Sequence, residues 1–251
     1  MARFVLVHGA WHGAWCWEAL ARHLRAEGHE VVAPDLPGHG ADSARWWRAS
    51  LGSYAQCVLA AASSMGDDVI AVGHSLGGLV ITEAAARQPT AFRGLVYLCA
   101  FAPLPRENLL SLARQDAESG VPAAVSRGPV RTTFRTARAA DVLYNRCAIE
   151  DASAASARLT PEPNIPMLQR VSTPLGPAPA RAYIECLQDH AISLESQRWM
   201  HKHAGITRVL SLDTDHSPFL SATASLTSAL NELAGEFARP ETPNQAPKRS
   251  V

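Results

Sequence analysis

The chain alternates short, near-continuous apolar runs with longer stretches in which apolar residues recur every three or four positions. Phe4-Val5-Leu6-Val7, Val69-Ile70-Ala71-Val72 and Leu95-Val96-Tyr97-Leu98 are apolar throughout. That is the pattern of strands covered on both faces of a sheet. Strands are predicted over residues 4–8, 29–34, 69–73, 95–100, 181–186 and 207–212. The stretches 15–27, 53–64 and 79–87 carry helical periodicity, and 225–238 predicts a closing helix. Strands separated by helices of about ten residues or more need right-handed crossovers, so the expected fold class is α/β, with a mainly parallel sheet and helices on both faces.

The rhythm stops at Pro103. Residues 104–180 show no clear strand, only short helical patterns over 106–118, 139–147 and 150–159 and a Pro-rich exit over 160–179. A helical insertion between two strands of one sheet reads as a lid over the sheet edge. The expected organisation is an α/β core of residues 1–103 and 181–238, a helical lid of residues 104–180, and a disordered tail of residues 239–251. There is no internal repeat.

Composition then narrows the function. The chain has 251 residues, 47% of them hydrophobic, and its 23 basic and 23 acidic side chains cancel. Such a chain can bury a large core, and it lacks the basic excess that nucleic acid or an anionic membrane surface demands. No apolar run reaches the ~18 residues of a membrane span. The four apolar residues before His8 are too few for the core of a secretory signal. Cys16, Cys57, Cys99, Cys147 and Cys186 are odd in number and widely spaced, which argues against a disulfide framework or a zinc site. The expected compartment is the cytoplasm and the expected partner a small molecule, not nucleic acid or membrane; a homodimer is left open.

Candidate chemistry centres on Gly73-His74-Ser75-Leu76-Gly77, where the strand over 69–73 gives way to the helix over 79–87. A serine in a G-x-S-x-G strand–turn–helix setting reads as a nucleophile. The glycines leave room for a strained turn, and the helix start offers backbone N–H groups to a developing oxyanion. A serine nucleophile needs a histidine base and an orienting acid, which follow it along the chain in the order acid, then histidine. His216 comes shortly after the strand over 207–212, whereas His201 and His203 precede it in a helical stretch and are expected to be solvated. His190 lies too close in sequence to the acid candidate. The acid is assigned to Asp189, just past the strand over 181–186; Asp213 and Asp215 share the histidine's own short loop. The second oxyanion amide is expected from the loop after the first strand, which pairs Ala10 with Leu76. The spacing His8-Gly9-Ala10-Trp11-His12-Gly13 lacks G-x-G-x-x-G, so no dinucleotide site is expected, and His8 and His12 are not expected to form a metal pair. No metal or organic cofactor is required by these elements.

From about Phe4 to Phe237 the chain resembles the α/β-hydrolases, nearest the branch of methylesterases and hydroxynitrile lyases with related bacterial carboxylesterases such as pyrethroid hydrolases. The resemblance rests on residues 4–15, on Asp35-Leu36-Pro37-Gly38-His39-Gly40, on residues 73–78, on Leu187-Gln188-Asp189 and on Asp215-His216. Tyr144-Asn145-Arg146-Cys147 and Leu159-Thr160-Pro161 are similar to the carboxylesterase members in particular. In the lyases of this branch, Thr stands where this chain has Gly9, and Lys where it has Ser217. The resemblance therefore implies a serine carboxylesterase acting on small to medium, largely apolar esters. The alternatives are a lyase on the same triad and a small-molecule receptor with a hydrolase-type pocket. Trp11, His12, Phe134, Leu143, Tyr144, Met167 and Leu168 are the candidate pocket residues.

Overall fold

The structure, a computed structural model, describes residues 1–238; the tail expected over residues 239–251 lies outside them. Among the described residues, strands β1 (Arg3–Val7), β2 (Glu30–Val32), β3 (Val69–His74) and β4 (Phe92–Leu98) lead into the insertion. The insertion holds β5 (Val125–Arg127), β6 (Arg131–Phe134) and β7 (Glu162–Pro163), after which β8 (Ala180–Cys186) and β9 (Arg208–Leu212) complete the core. The core strands form one parallel sheet in the order β2-β1-β3-β4-β8-β9.

Alternation along each strand divides the core. Phe4 and Leu6 of β1, with Ile70 and Val72 of β3, pack in the cluster that includes Leu20 and Leu24 of helix α1 (Glu18–Ala26). Val5, Val7, Val69 and Ala71 face the other way, toward α2 (Leu51–Met65) and α3 (Gly77–Arg87). Both faces are therefore covered, which is why these strands read as unbroken apolar runs.

The insertion differs from its expected all-helical form. It carries α4 (Leu109–Ala113), α5 (Val121–Ala124), α6 (Thr136–Val142), α7 (Ile149–Ala157) and α8 (Asn164–Leu168), but also a three-stranded antiparallel sheet, β5-β6-β7. The helix expected over 106–118 shrinks to α4, whose start is fixed by Asn108, its side chain accepting the Ser111 N–H. Short strands such as Arg131-Thr132-Thr133-Phe134 have no apolar run to announce them. Past β8, α9 (Leu194–His203) packs on the α2/α3 side through Met200, and α10 (Pro218–Ser221) and α11 (Thr223–Glu236) close the α1 side. Among the described residues no helix is long and apolar enough to cross a membrane.

Buried carboxylates bolt the insertion to the core. Glu83 of α3 accepts the N–H and hydroxyl of Ser172 at 2.7 and 2.9 Å. Glu162 of β7 reaches from the insertion to Trp11, His39 and Tyr54. Each such carboxylate is stabilised only while its donors stay in place, so the lid and core are fixed as one piece.

Candidate active site

Ser75 stands at the turn between β3 and α3 with φ +52°, a left-handed conformation that costs roughly 1–3 kcal/mol for a residue bearing a side chain. Its backbone is over-determined. The Ser75 N–H donates to Leu98, and its carbonyl accepts from Gly78 and Phe101. The flanking glycines are a steric requirement. A Cβ at Gly73 would lie 2.5 Å from the Gly77 carbonyl, one at Gly77 2.5 Å from the Val7 carbonyl, and one at Gly78 2.3 Å from the Phe101 carbonyl.

His216 follows β9 and is buried; its Nδ1–H donates to Asp189 Oδ2 at 2.7 Å. Asp189 sits past the end of β8. Its Oδ1 accepts the N–H groups of Ala191 and Ile192, and Oδ2 also accepts from Gln197 Nε2. The carboxylate is thus held in one orientation, with its remaining lone pair aimed at His216. Ser75 and His216 border the same cavity, together with Ala10 and Leu76. The structure brings together all five of these sequence-predicted residues.

Asp213 is exposed and accepts from Gln188. Asp215 is fully buried but turned away from the imidazole toward Arg146, Ser217 and Ser221. His190 is exposed and donates to the Asp141 carbonyl. His201 corrects the expectation of a solvated side chain: it is buried, with Nε2 3.0 Å from Glu185, which also draws Arg198 and Ser211. His203 is exposed, as expected, and pairs with Glu107 of the lid.

Beneath the serine lies a layer of buried histidines. A carbonyl can only accept, so the contact of His8 Nδ1 with Gly9 fixes the proton on Nδ1 and leaves Nε2 to accept the Leu36 N–H. By the same logic His12 donates from Nδ1 to the Ala10 carbonyl and accepts the Tyr144 hydroxyl at Nε2. Burial pushes His12 down to about 4, despite the opposing bond to Ala10. Burial, helped by neighbouring histidines, holds His8 and His74 well below the ordinary imidazole range. These rings are neutral scaffold.

The cavity has a volume of about 150 Å³ and a mostly apolar wall. Of the candidate pocket residues, Trp11, His12, Leu143 and Met167 line it. Phe134, Tyr144 and Leu168 do not. Phe134 packs edge-on against Trp11, Tyr144 is tied to His12, and Leu168 is exposed. Leu109, Leu110, Val121, Val125 and Ile192 belong to the wall instead; helical periodicity over 106–118 covers Leu109 and Leu110 without showing which face meets the cavity, and Val121, Val125 and Ile192 sit in very short elements or a loop.

Residues 4–227 match the model of the alpha/beta hydrolase family. Methyl jasmonate esterase 1 of Vitis vinifera is 32% identical over 253 residues, 93% of this chain and 97% of that protein. A carbendazim hydrolyzing esterase of a Nocardioides strain is 45% identical over 114 residues, 45% of this chain and 47% of that protein. The crystal structure of a pyrethroid hydrolase from Sphingobium faniae superposes with a TM-score of 0.83 at 26% identity, covering 93% of this chain and 97% of that one.

Proposed function

The chain belongs to the alpha/beta hydrolase family, and we propose that it is a serine carboxylesterase in which Ser75, His216 and Asp189 cleave small to medium, largely apolar carboxylic esters. The observation that carries this reading is one cavity walled both by Ser75 on its strained turn and by His216 bound to Asp189. The esterases named among its relatives support ester cleavage as the reaction class.

The chemistry runs in two halves. Ser75 Oγ attacks the ester carbonyl carbon while its proton passes to His216 Nε2, and the carbonyl oxygen becomes an oxyanion held by the Ala10 and Leu76 amides. The C–O bond to the alcohol then breaks, and the leaving oxygen takes the proton from Nε2. Water attacks the acyl-enzyme, giving a proton to Nε2. The second tetrahedral species collapses to the carboxylic acid, and Ser75 Oγ recovers that proton. Asp189 stays ionised throughout, holding the imidazole in the Nδ1–H tautomer and stabilising the imidazolium.

Lyase chemistry on the same residues fits poorly. A Cβ at Gly9 would lie 2.8 Å from both Ser75 Cβ and His74 Nδ1, so the Thr that the resemblance associates with lyases has no room. Ser217 also offers no positive charge for a departing cyanide. The test is turnover of p-nitrophenyl acetate and butyrate by the wild type and by Ser75→Ala. The reading expects a loss of roughly 10^4-fold or more with the melting temperature kept. Tight ester binding without turnover by the wild type would point to a receptor instead.

A further inference from the structure

The loop that carries Ala10 is not held by the core alone. Trp11, the next residue, has φ +63°, a conformation that residues with side chains rarely adopt. Each polar group of Trp11 is fastened by the insertion. Its backbone N–H donates to Glu162 Oε2 at 3.2 Å, its carbonyl accepts the Thr160 N–H at 2.8 Å, and its indole Nε1–H donates to the Thr132 carbonyl at 3.2 Å. Glu162 is fully buried. Besides Trp11 it takes His39 Nε2 at 2.7 Å on the same oxygen and the Tyr54 hydroxyl at 3.2 Å on the other.

An isolated carboxylate would not stay ionised in such a place. Burial pushes His39 down, yet the charge and hydrogen bond of Glu162, with the Pro37 backbone and Asp35, together outweigh it and raise His39 above its ordinary value. Among the described residues, the charged or titratable groups facing this cluster are Asp35, whose charge also raises His39, and the neutral rings of His8, centred 5.0 Å from that of His39, and His12. Glu162 is also presented stiffly, between Pro161 and Pro163, and a residue before proline is confined to extended backbone. Little freedom is therefore lost when it docks.

We infer that Glu162 is a positioning residue: a lid carboxylate that holds Trp11 in its left-handed conformation and so keeps the Ala10 amide aimed at the oxyanion. On this inference, which rests on the esterase reading, the oxyanion-binding amide is assembled only while β7 is docked on the core. Glu162 thereby contributes to transition-state stabilisation without itself touching substrate. His12, which binds the Ala10 carbonyl from the other side, completes the frame around that peptide.

The experiment compares wild type, Glu162→Gln, Glu162→Ala, Tyr54→Phe and Ser75→Ala on p-nitrophenyl butyrate, with active sites counted by a fluorophosphonate. An alkyl trifluoromethyl ketone serves as probe, because its serine adduct places a negative oxygen in the oxyanion site. For Glu162→Gln the expected result is a kcat lower by about 10- to 100-fold per titrated site, with KM nearly unchanged. The ketone's inhibition constant should rise in parallel, and Glu162→Ala should lose more. A merely structural role would lower the melting temperature while leaving kcat per titrated site and the inhibition constant at wild-type values; that outcome overturns the inference. Should neither Glu162 variant fold, Tyr54→Phe decides. Loosening one oxygen of Glu162 should lower kcat severalfold and weaken the ketone equally, and no change in either overturns it. Ester turnover that survives Ser75→Ala would instead overturn the esterase reading itself.

Discussion

Asp215 turns its carboxylate away from its neighbour His216 and accepts the backbone N–H of Arg146, from the insertion, at 2.8 Å. Its other oxygen takes the Ser217 N–H and the Ser221 hydroxyl. All of its capacity near the site is thus spent on docking the lid and shaping the loop, whereas Asp189 spends one oxygen on the imidazole. Asp189→Asn should lower kcat by roughly 10^4-fold through the wrong imidazole tautomer. Asp215→Asn keeps one acceptor oxygen for several donors, so it should cost about 1–3 kcal/mol of stability with a far smaller loss of kcat. Asp213→Asn, at an exposed position, should change neither. Melting curves and kcat for the three variants check this, and a reversal between positions 189 and 215 would move the acid.

Gly9 offers a test of how tightly Ser75 is packed. An added methyl would sit 2.8 Å from Ser75 Cβ and from His74 Nδ1, well inside van der Waals contact. The Ser75 turn is held by Leu98, Gly78 and Phe101, so the added methyl must strain those bonds or the loop after β1. Gly9→Ala should destabilise by about 1–3 kcal/mol. By displacing Ser75 it should also lower kcat roughly 10^2-fold. A variant with wild-type kcat would show that the loop yields rather than the serine.

Much of this arrangement is legible in the sequence, for physical reasons. β1, β3 and β4 are apolar on both faces, so each reads as a strand without ambiguity, and the turn at Ser75 is spelled out by glycines that nothing larger could replace. Asp189 and His216 follow from their positions past strand ends. The lid was harder. Its strands are two to four residues long, are polar, and pair β6 with β7 across a long intervening segment, so periodicity has nothing to register. Glu162 shows why a buried carboxylate escapes such reading: between two prolines it looks like a loop residue, and its partners His39 and Tyr54 lie more than a hundred positions away. His201 escapes for a different reason: its partner Glu185 is only 16 positions away, but it sits in β8, where nothing in the strand pattern marks a buried acid.

The cavity wall predicts which substitutions alter substrate preference. Leu110 and Met167 line it, whereas Phe134 lies behind Trp11. Leu110→Ala and Met167→Ala should shift the ratio of kcat/KM between p-nitrophenyl hexanoate and acetate by roughly tenfold, since added room favours the longer acyl chain. Phe134→Ala should instead cost about 3–5 kcal/mol, as a buried aromatic does, and leave that ratio near the wild-type value. Measuring the ratio and the melting temperature for each variant separates wall from backing. A selectivity change at Phe134 without loss of stability would redraw the pocket.

The buried histidines give the fold a pH dependence whose sign follows from their shifts. His12 titrates at about 4 in the folded chain against an ordinary 6.5, so between those values the unfolded chain binds a proton that the folded chain refuses. The associated stability is present above the unfolded value and is lost as pH falls toward 4. From pH 7 to pH 5 that loss is roughly 2 kcal/mol for His12 alone, a fall in melting temperature of roughly 4–8 °C for a chain of this size. His8 and His74, lowered chiefly by burial, act in the same direction. His39 acts in the opposite one: raised by Glu162 against its burial, it stabilises below the ordinary imidazole value, and that contribution is lost as pH climbs through its raised value. His12→Gln should therefore shallow the acid-side slope of melting temperature against pH by the amount above, whatever its melting temperature at pH 7. An unchanged slope would mean that His12 titrates in the folded chain as it does in the unfolded one, and that the ring is not the neutral bridge between Ala10 and Tyr144.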